Sequence, residues 1–160
     1  MAKAIIVYES KYGNTRRVAE QIAEGMRQVR GTEVTLAEVR QADLKSLANF
    51  DAILIGSPNH MGNATHGILS FINKLGKLKL EEKLIAFFDT YRGVYDRAKA
   101  PQFQVALKKM EKRLSEKASV MKLVTPGLSI MVQGKEGPIT EGELPRASEF
   151  GANIAAGLQK

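Results

Sequence analysis

Glu9-Ser10-Lys11-Tyr12-Gly13-Asn14-Thr15 decides the fold of this 160-residue chain, because of what lies on either side of it. Before it runs Ala4-Ile5-Ile6-Val7-Tyr8, the short apolar pattern of a strand buried on both faces. After it, Val18, Ile22, Met26 and Val29 recur at helical spacing along one face. The stretch therefore reads as the turn between a parallel strand and a helix. At such a turn the first helical amides have no intrahelical acceptor and the positive end of the helix dipole faces the loop, so an anion is favoured there. Ser10 and Thr15 add hydroxyl donors, and Gly13 permits the tight bend that closes amides around a small anion. Neither G-x-x-x-x-G-K-[ST] nor G-x-G-x-x-G is present, which argues against a nucleoside triphosphatase loop and a dinucleotide fingerprint.

Working outward, the same alternation repeats. The first helix should cover about 15–30 and stop at Gly31-Thr32, with a second strand over 33–39. Asp43 to Leu47 offers a short capped helix, and 51–56 is a third strand followed by the polar loop Ser57 to Thr65. Ile68, Leu69, Ile72 and Leu75 mark the core face of the next helix. A fourth strand, 83–89, ends in a loop over 90–95. Pro101 suits the first turn of a helix carrying Phe103, Leu107, Met110 and Leu114 on one face. The last strand, 119–124 and 128–132, is interrupted at Thr125-Pro126-Gly127 because proline cannot donate to the ladder. After a loop over 134–140, the closing helix starts near 143 and buries Leu144, Ala147, Phe150, Ile154 and Leu158. Five strands alternating with five helices predict an α/β fold, a doubly wound five-stranded parallel sheet in one domain, residues 1–160. With strand order 2-1-3-4-5, the polar loops after strands one, three and four share one edge, and the switch point lies between strands one and three.

Composition narrows the function. There is no cysteine, so disulfides, thiolate metal sites, iron–sulfur clusters and thiol catalysis are excluded; with only His60 and His66, a metal centre is poorly supplied as well. No apolar run approaches the roughly 20 residues of a membrane span, and the N-terminus enters a strand directly rather than a signal core, so a cytoplasmic location is expected. The chain carries 24 basic and 17 acidic residues, a formal charge of +7. Residues 96–122 alone hold eight basic residues against three acidic ones. Such a face attracts an acidic protein or an anionic substrate, and otherwise is simply solvated. No stacking platform or nucleic-acid motif accompanies the charge, so nucleic acid is not an expected partner.

The loop Ser10-Lys11-Tyr12-Gly13-Asn14-Thr15 resembles the phosphate loop of flavodoxins, [ST]-x-[ST]-G-x-T, with Tyr12 standing where the family usually has a small hydroxyl. Gly56-Ser57-Pro58 and Thr90-Tyr91-Arg92-Gly93 support the likeness, which runs the length of the chain and is closest to short flavodoxins and the flavodoxin-like domains of A-type and protoporphyrinogen-oxidase-type flavoproteins. The resemblance implies FMN as cofactor, with Ser10, Lys11, Tyr12, Gly13, Asn14 and Thr15 around its phosphate. Ser57, Pro58, Asn59, His60, Met61, Gly62 and Asn63 would lie beside the flavin, and Thr90, Tyr91, Arg92, Gly93 and Tyr95 would form the other wall. Met61-Gly62-Asn63 resembles a flavodoxin turn whose glycine peptide accepts a hydrogen bond from flavin N5 after one-electron reduction, making Gly62 that residue. With no tryptophan in the chain, Tyr91 or Tyr95 would stack on the ring, opposite Met61 or His60.

No catalytic side chain is required, because the flavin performs the redox step. The leading expectation is electron transfer between partner proteins, whose docking surfaces would be acidic to suit the basic chain. A small FMN oxidoreductase acting on a quinone or porphyrinogen is the alternative, favoured by the positive charge and by the long Ser57 to Thr65 loop. A flavin-free interaction domain on the same fold is the third reading. A phosphoacceptor receiver domain is disfavoured, since Gly56-Ser57-Pro58 stands where its aspartate would be.

Overall fold

A computed structural model describes residues 1–93, 102–117 and 120–160. The strands are β1 (Ala2–Tyr8), β2 (Thr32–Glu38), β3 (Ala52–Pro58), β4 (Leu84–Arg92), β5 (Lys122–Leu123) and β6 (Leu128–Val132). The helices are α1 (Asn14–Arg27), α2 (His66–Leu75), α3 (Val105–Glu116) and α4 (Glu143–Leu158). All strand pairs are parallel, in the order β2-β1-β3-β4-β5, with β6 also pairing β4. β5 and β6 are two pieces of one last strand, parted around Pro126 as the sequence predicts. The doubly wound parallel α/β sheet is therefore as expected.

Alternation along buried strands supplies two cores, one on each face. Ile5, Val7, Ile53, Ile55, Ile85 and Phe87 meet Ile68, Ile72, Leu107 and Met110 of α2 and α3. Ala4, Ile6, Leu54, Ala86, Phe88 and Ile130 meet Val18, Ile22, Met26, Ala147 and Ala155 of α1 and α4. Each large side chain buried this way contributes roughly 1.5–3 kcal/mol of transfer free energy.

Local details differ from the sequence reading in two places. The expected helix at 43–47 is a 3-10 segment, Leu44–Asn49, whose N-cap Asp43 accepts a hydrogen bond from the Lys45 amide. The cap was legible, but six residues are too few to sustain an α-helix. β4 runs three residues beyond Asp89, so Thr90, Tyr91 and Arg92 are strand rather than loop. They pair with β6 there, a tertiary partnership that local polarity does not reveal.

The upper edge of the sheet is a staircase. β1 ends at Tyr8, level with Gly56 of β3 and, through it, Phe88 of β4. β3 continues to Pro58, level with Thr90, and β4 to Arg92, level with Val132 of β6. The step above β1 is where the chain turns into α1.

Candidate functional site

Gly13 makes that turn with φ +98°, a left-handed conformation that costs glycine nothing. It occupies the N-cap of α1 but offers no side-chain cap, and no described residue accepts a hydrogen bond from the amides of Tyr12, Asn14, Thr15 or Arg16. The α2 N-terminus is built differently, with the Thr65 hydroxyl accepting from the Ile68 amide. Ser10 Oγ accepts from the Gly13 amide at 3.1 Å, which fixes its lone pair and leaves its proton to donate elsewhere. Thr15 is buried, its Oγ1 2.9 Å from Thr90 Oγ1.

A cavity of about 410 Å³ opens above this turn, within the range of a small-molecule site. From the first loop it is lined by Ser10, Lys11, Tyr12, Asn14 and Thr15, and from the second by Pro58, Asn59, His60 and Met61. Thr90 and Arg92 of β4 line it too, with Val132 and Lys135 closing the remaining side. Among the described residues its charged lining is Lys11, Arg92 and Lys135, with no carboxylate. The Asn59 amide nitrogen donates to Gln102 Oε1 at 2.6 Å, whereas its Oδ1 is buried without a partner among the described residues. Asn59 lines the cavity, and a buried acceptor without a partner is an unmet hydrogen bond that calls for an explanation.

Ser57, Gly62, Asn63 and Gly93 sit close by without lining the cavity. Ser57 is buried; its hydroxyl donates to the Pro58 carbonyl and accepts from the Thr65 amide, which locks the second loop. His60 and Asn63 bond to each other through both backbone groups around Met61-Gly62, whose φ values of +52° and +81° are those of a type I′ turn. Met61 projects from it, 94% exposed. Gly93 donates its amide to the Val132 carbonyl.

Tyr91 is 1% exposed and its ring meets Phe103 edge-on, at 5.6 Å between centroids. Strand alternation explains this: in β4 the side chains of Thr90 and Arg92 share one face and Tyr91 takes the other. The tyrosine expected to stack on a ring is thus a core residue, and Tyr95 lies outside the described residues. The second aromatic wall is therefore absent from the described lining, where Tyr12 and His60 supply the only rings. Val132, Lys135 and Gln102 were not foreseen. None belongs to a motif, and each reaches the site through tertiary pairing or loop folding.

Behind the cavity wall lies a buried polar cluster. Asp89 is completely buried; Ser129 Oγ donates to its Oδ1 at 2.5 Å and the Leu107 amide to its Oδ2 at 2.9 Å. Ser129 Oγ in turn accepts from the Gln104 amide. Burial outweighs these hydrogen bonds and raises the Asp89 carboxyl to a pKa of about 6. The half-buried Glu111 carboxyl is pushed up as well, by desolvation.

Chemically, the site combines an open helix terminus suited to a phosphate with an elongated cavity at the strand ends and an unfilled acceptor at Asn59. Those features fit FMN at its phosphate end and at its polar ring edge. Comparison with known proteins agrees. The family model described as a flavodoxin domain matches residues 5–131. The chain is 33% identical over 96 residues to a flavodoxin of Aquifex aeolicus (strain VF5), a match covering 58% of this chain and 52% of that protein; it thus spans about half the length of that curated relative. In structure it is similar to a flavodoxin from the domain Archaea, with a TM-score of 0.79, 24% identity and 99% of each chain covered. It is also similar to the Flv1 flavodiiron core from Synechocystis sp. PCC6803, with a TM-score of 0.76, 18% identity, 99% of this chain and 36% of that one. With the open phosphate turn, the stepped sheet edge and a family match across most of its length, the chain belongs to the flavodoxin domain family, whose cofactor is FMN.

Proposed function

We propose that this chain, acting as a single 160-residue domain, binds FMN at the α1 terminus and carries electrons between partner proteins. The observation that carries this reading is that one cavity is lined both by residues of the uncapped α1 start and by Asn59, whose Oδ1 has no partner among the described residues. The amides of Tyr12, Asn14, Thr15 and Arg16 and the hydroxyls of Ser10 and Thr15 would hold the phosphate, and the dipole of α1 would favour its charge. Asn59, oriented by Gln102, would accept a hydrogen bond from the polar edge of the ring, while Pro58, His60 and Met61 would cover one face. Bound there, FMN would supply reversible one-electron chemistry.

The protein's own part is placement and charge. Lys11, Arg92 and Lys135 put positive potential around the mouth, which favours added electrons and steers a partner of opposite sign. The exposed Lys108, Lys109, Lys112 and Lys117 of α3 and its C-terminus extend that potential, so the redox partners would present acidic surfaces. The absence of cysteine and of a helix long and apolar enough to cross a membrane among the described residues supports a cytoplasmic setting.

Anaerobic stepwise reduction of the FMN-loaded protein tests the carrier reading. Two resolved one-electron steps support it. A single two-electron step coupled to turnover of an added quinone would replace it with the oxidoreductase, and a colourless protein that takes up no FMN at micromolar concentration would leave only the interaction domain.

A further inference from the structure

Tyr12 occupies a position where the flavodoxin loop usually has a hydroxyl, and its surroundings are as unusual as its identity. Two ammonium groups gather at the ring, Lys11 Nζ at 5.6 Å and Lys135 Nζ at 5.7 Å from its centroid. Among the described residues neither lysine forms an ion pair with an acid, and none that lines the cavity both lysines line carries a carboxylate. Each contact with the ring is favourable by about 0.5–1 kcal/mol at an exposed site, but two cations gathered at one ring also repel each other. An anion placed between them removes that repulsion.

Lys135 is brought there by construction. The Asn14 side-chain amide donates to the Lys135 carbonyl at 3.1 Å, tying the segment after β6 to the first turn of α1. That segment is itself closed by Gly137 donating to the Gly134 carbonyl and by Gln133 donating to the Pro138 carbonyl. It sits so near α1 that a Cβ at Gly137 would come within 2.9 Å of Asn14 Oδ1.

We infer that Lys135 and Lys11, gathered at the Tyr12 ring on the wall of one cavity, form a countercharge clamp for the phosphate dianion, with Asn14 as its positioning residue. The clamp replaces the missing hydroxyl of the loop by charge, and it makes the protein select a phosphorylated flavin over the uncharged riboflavin. This rests on the FMN reading above and adds to it the source of the selectivity. The lysines are exposed, so their removal leaves the fold intact.

The test is calorimetric titration of the apoprotein with FMN and, separately, riboflavin at low and high salt, for the native chain and for Lys135→Gln, Lys11→Gln, Lys135→Arg and Asn14→Ala. Each lysine-to-glutamine change should weaken FMN about three- to tenfold and riboflavin less than twofold, and should flatten the salt dependence of FMN binding. Lys135→Arg should restore most of the FMN affinity. Asn14→Ala should shift selectivity in the same direction as Lys135→Gln although it removes no charge. Tight FMN binding by the native chain with selectivity unchanged in both glutamine variants overturns the clamp alone. Binding of neither flavin by the native chain overturns the FMN reading and the clamp with it.

Discussion

Two helices begin on the same edge of the sheet, and their N-termini are treated in opposite ways. α3 begins at Val105 after a left-handed Gln104, and its first amides are met by the protein itself: Leu107 by the Asp89 carboxylate, Gln104 by the Ser129 hydroxyl that Asp89 also holds. α1 begins at Asn14 after a left-handed Gly13 whose amide is met by the Ser10 hydroxyl, but the amides of Asn14, Thr15 and Arg16 are met by nothing among the described residues. The physics is common to both, since a helix start favours negative charge. At α3 the anion is built into β4; at α1, on the proposed function, the space takes an anion from outside. One end thus contributes to stability and the other to affinity.

The sharpest way to break that contrast is to empty the filled end. Asp89→Ala strands the Leu107 amide and the Ser129 hydroxyl in the interior, and should cost about 3 kcal/mol in urea unfolding. A loss under about 1 kcal/mol would show that α3 does not depend on its internal anion. Spoiling the open end should act on binding instead. Gly13→Val puts a β-branched residue at φ +98° and should weaken FMN about thirtyfold, more than it weakens riboflavin, by titration. Equal losses for both flavins would contradict a phosphate role for the turn.

The buried carboxylate gives the filled end a pH signature. Because the folded chain raises Asp89 from 3.8 to about 6, it holds that proton more tightly than the unfolded chain. The resulting stabilisation is present below about pH 4 and is lost as pH rises through about 6, on the order of 3 kcal/mol. Glu111, also raised, adds in the same direction. Unfolding curves at pH 4, 5, 6 and 7 should show most of this slope vanish in Asp89→Asn; an unchanged slope would place the titration elsewhere. A smaller effect is expected from Thr15→Val, which removes the hydroxyl bonded to Thr90 and should weaken FMN about fivefold with little change for riboflavin.

What could be read in advance follows the same division between local and tertiary causes. The sheet was legible because Ile5-Ile6-Val7, Ile53-Leu54-Ile55 and Ile85-Ala86-Phe87 are buried on both faces and need no partner to be recognised as strands. The turn before α1 was legible because a strand end, a glycine bend and a helix start are made by consecutive residues. Tyr91 was misplaced because its side depends on where β4 ends, and pairing with β6 decides that. Lys135 was missed because only the Asn14 tether, 121 residues away in sequence, brings it to the loop. Asp89 stood at the end of a strand with nothing local to show that it serves the start of α3.

The most direct test of the contrast reads the amides themselves. In nitrogen-15 spectra of the apoprotein, adding FMN, or inorganic phosphate at higher concentration, should move the amide protons of Asn14, Thr15 and Arg16 downfield while that of Leu107 stays in place. Shifts confined to other regions, or none at α1 when FMN is saturating, would contradict the claim that this helix start is held open for a phosphate.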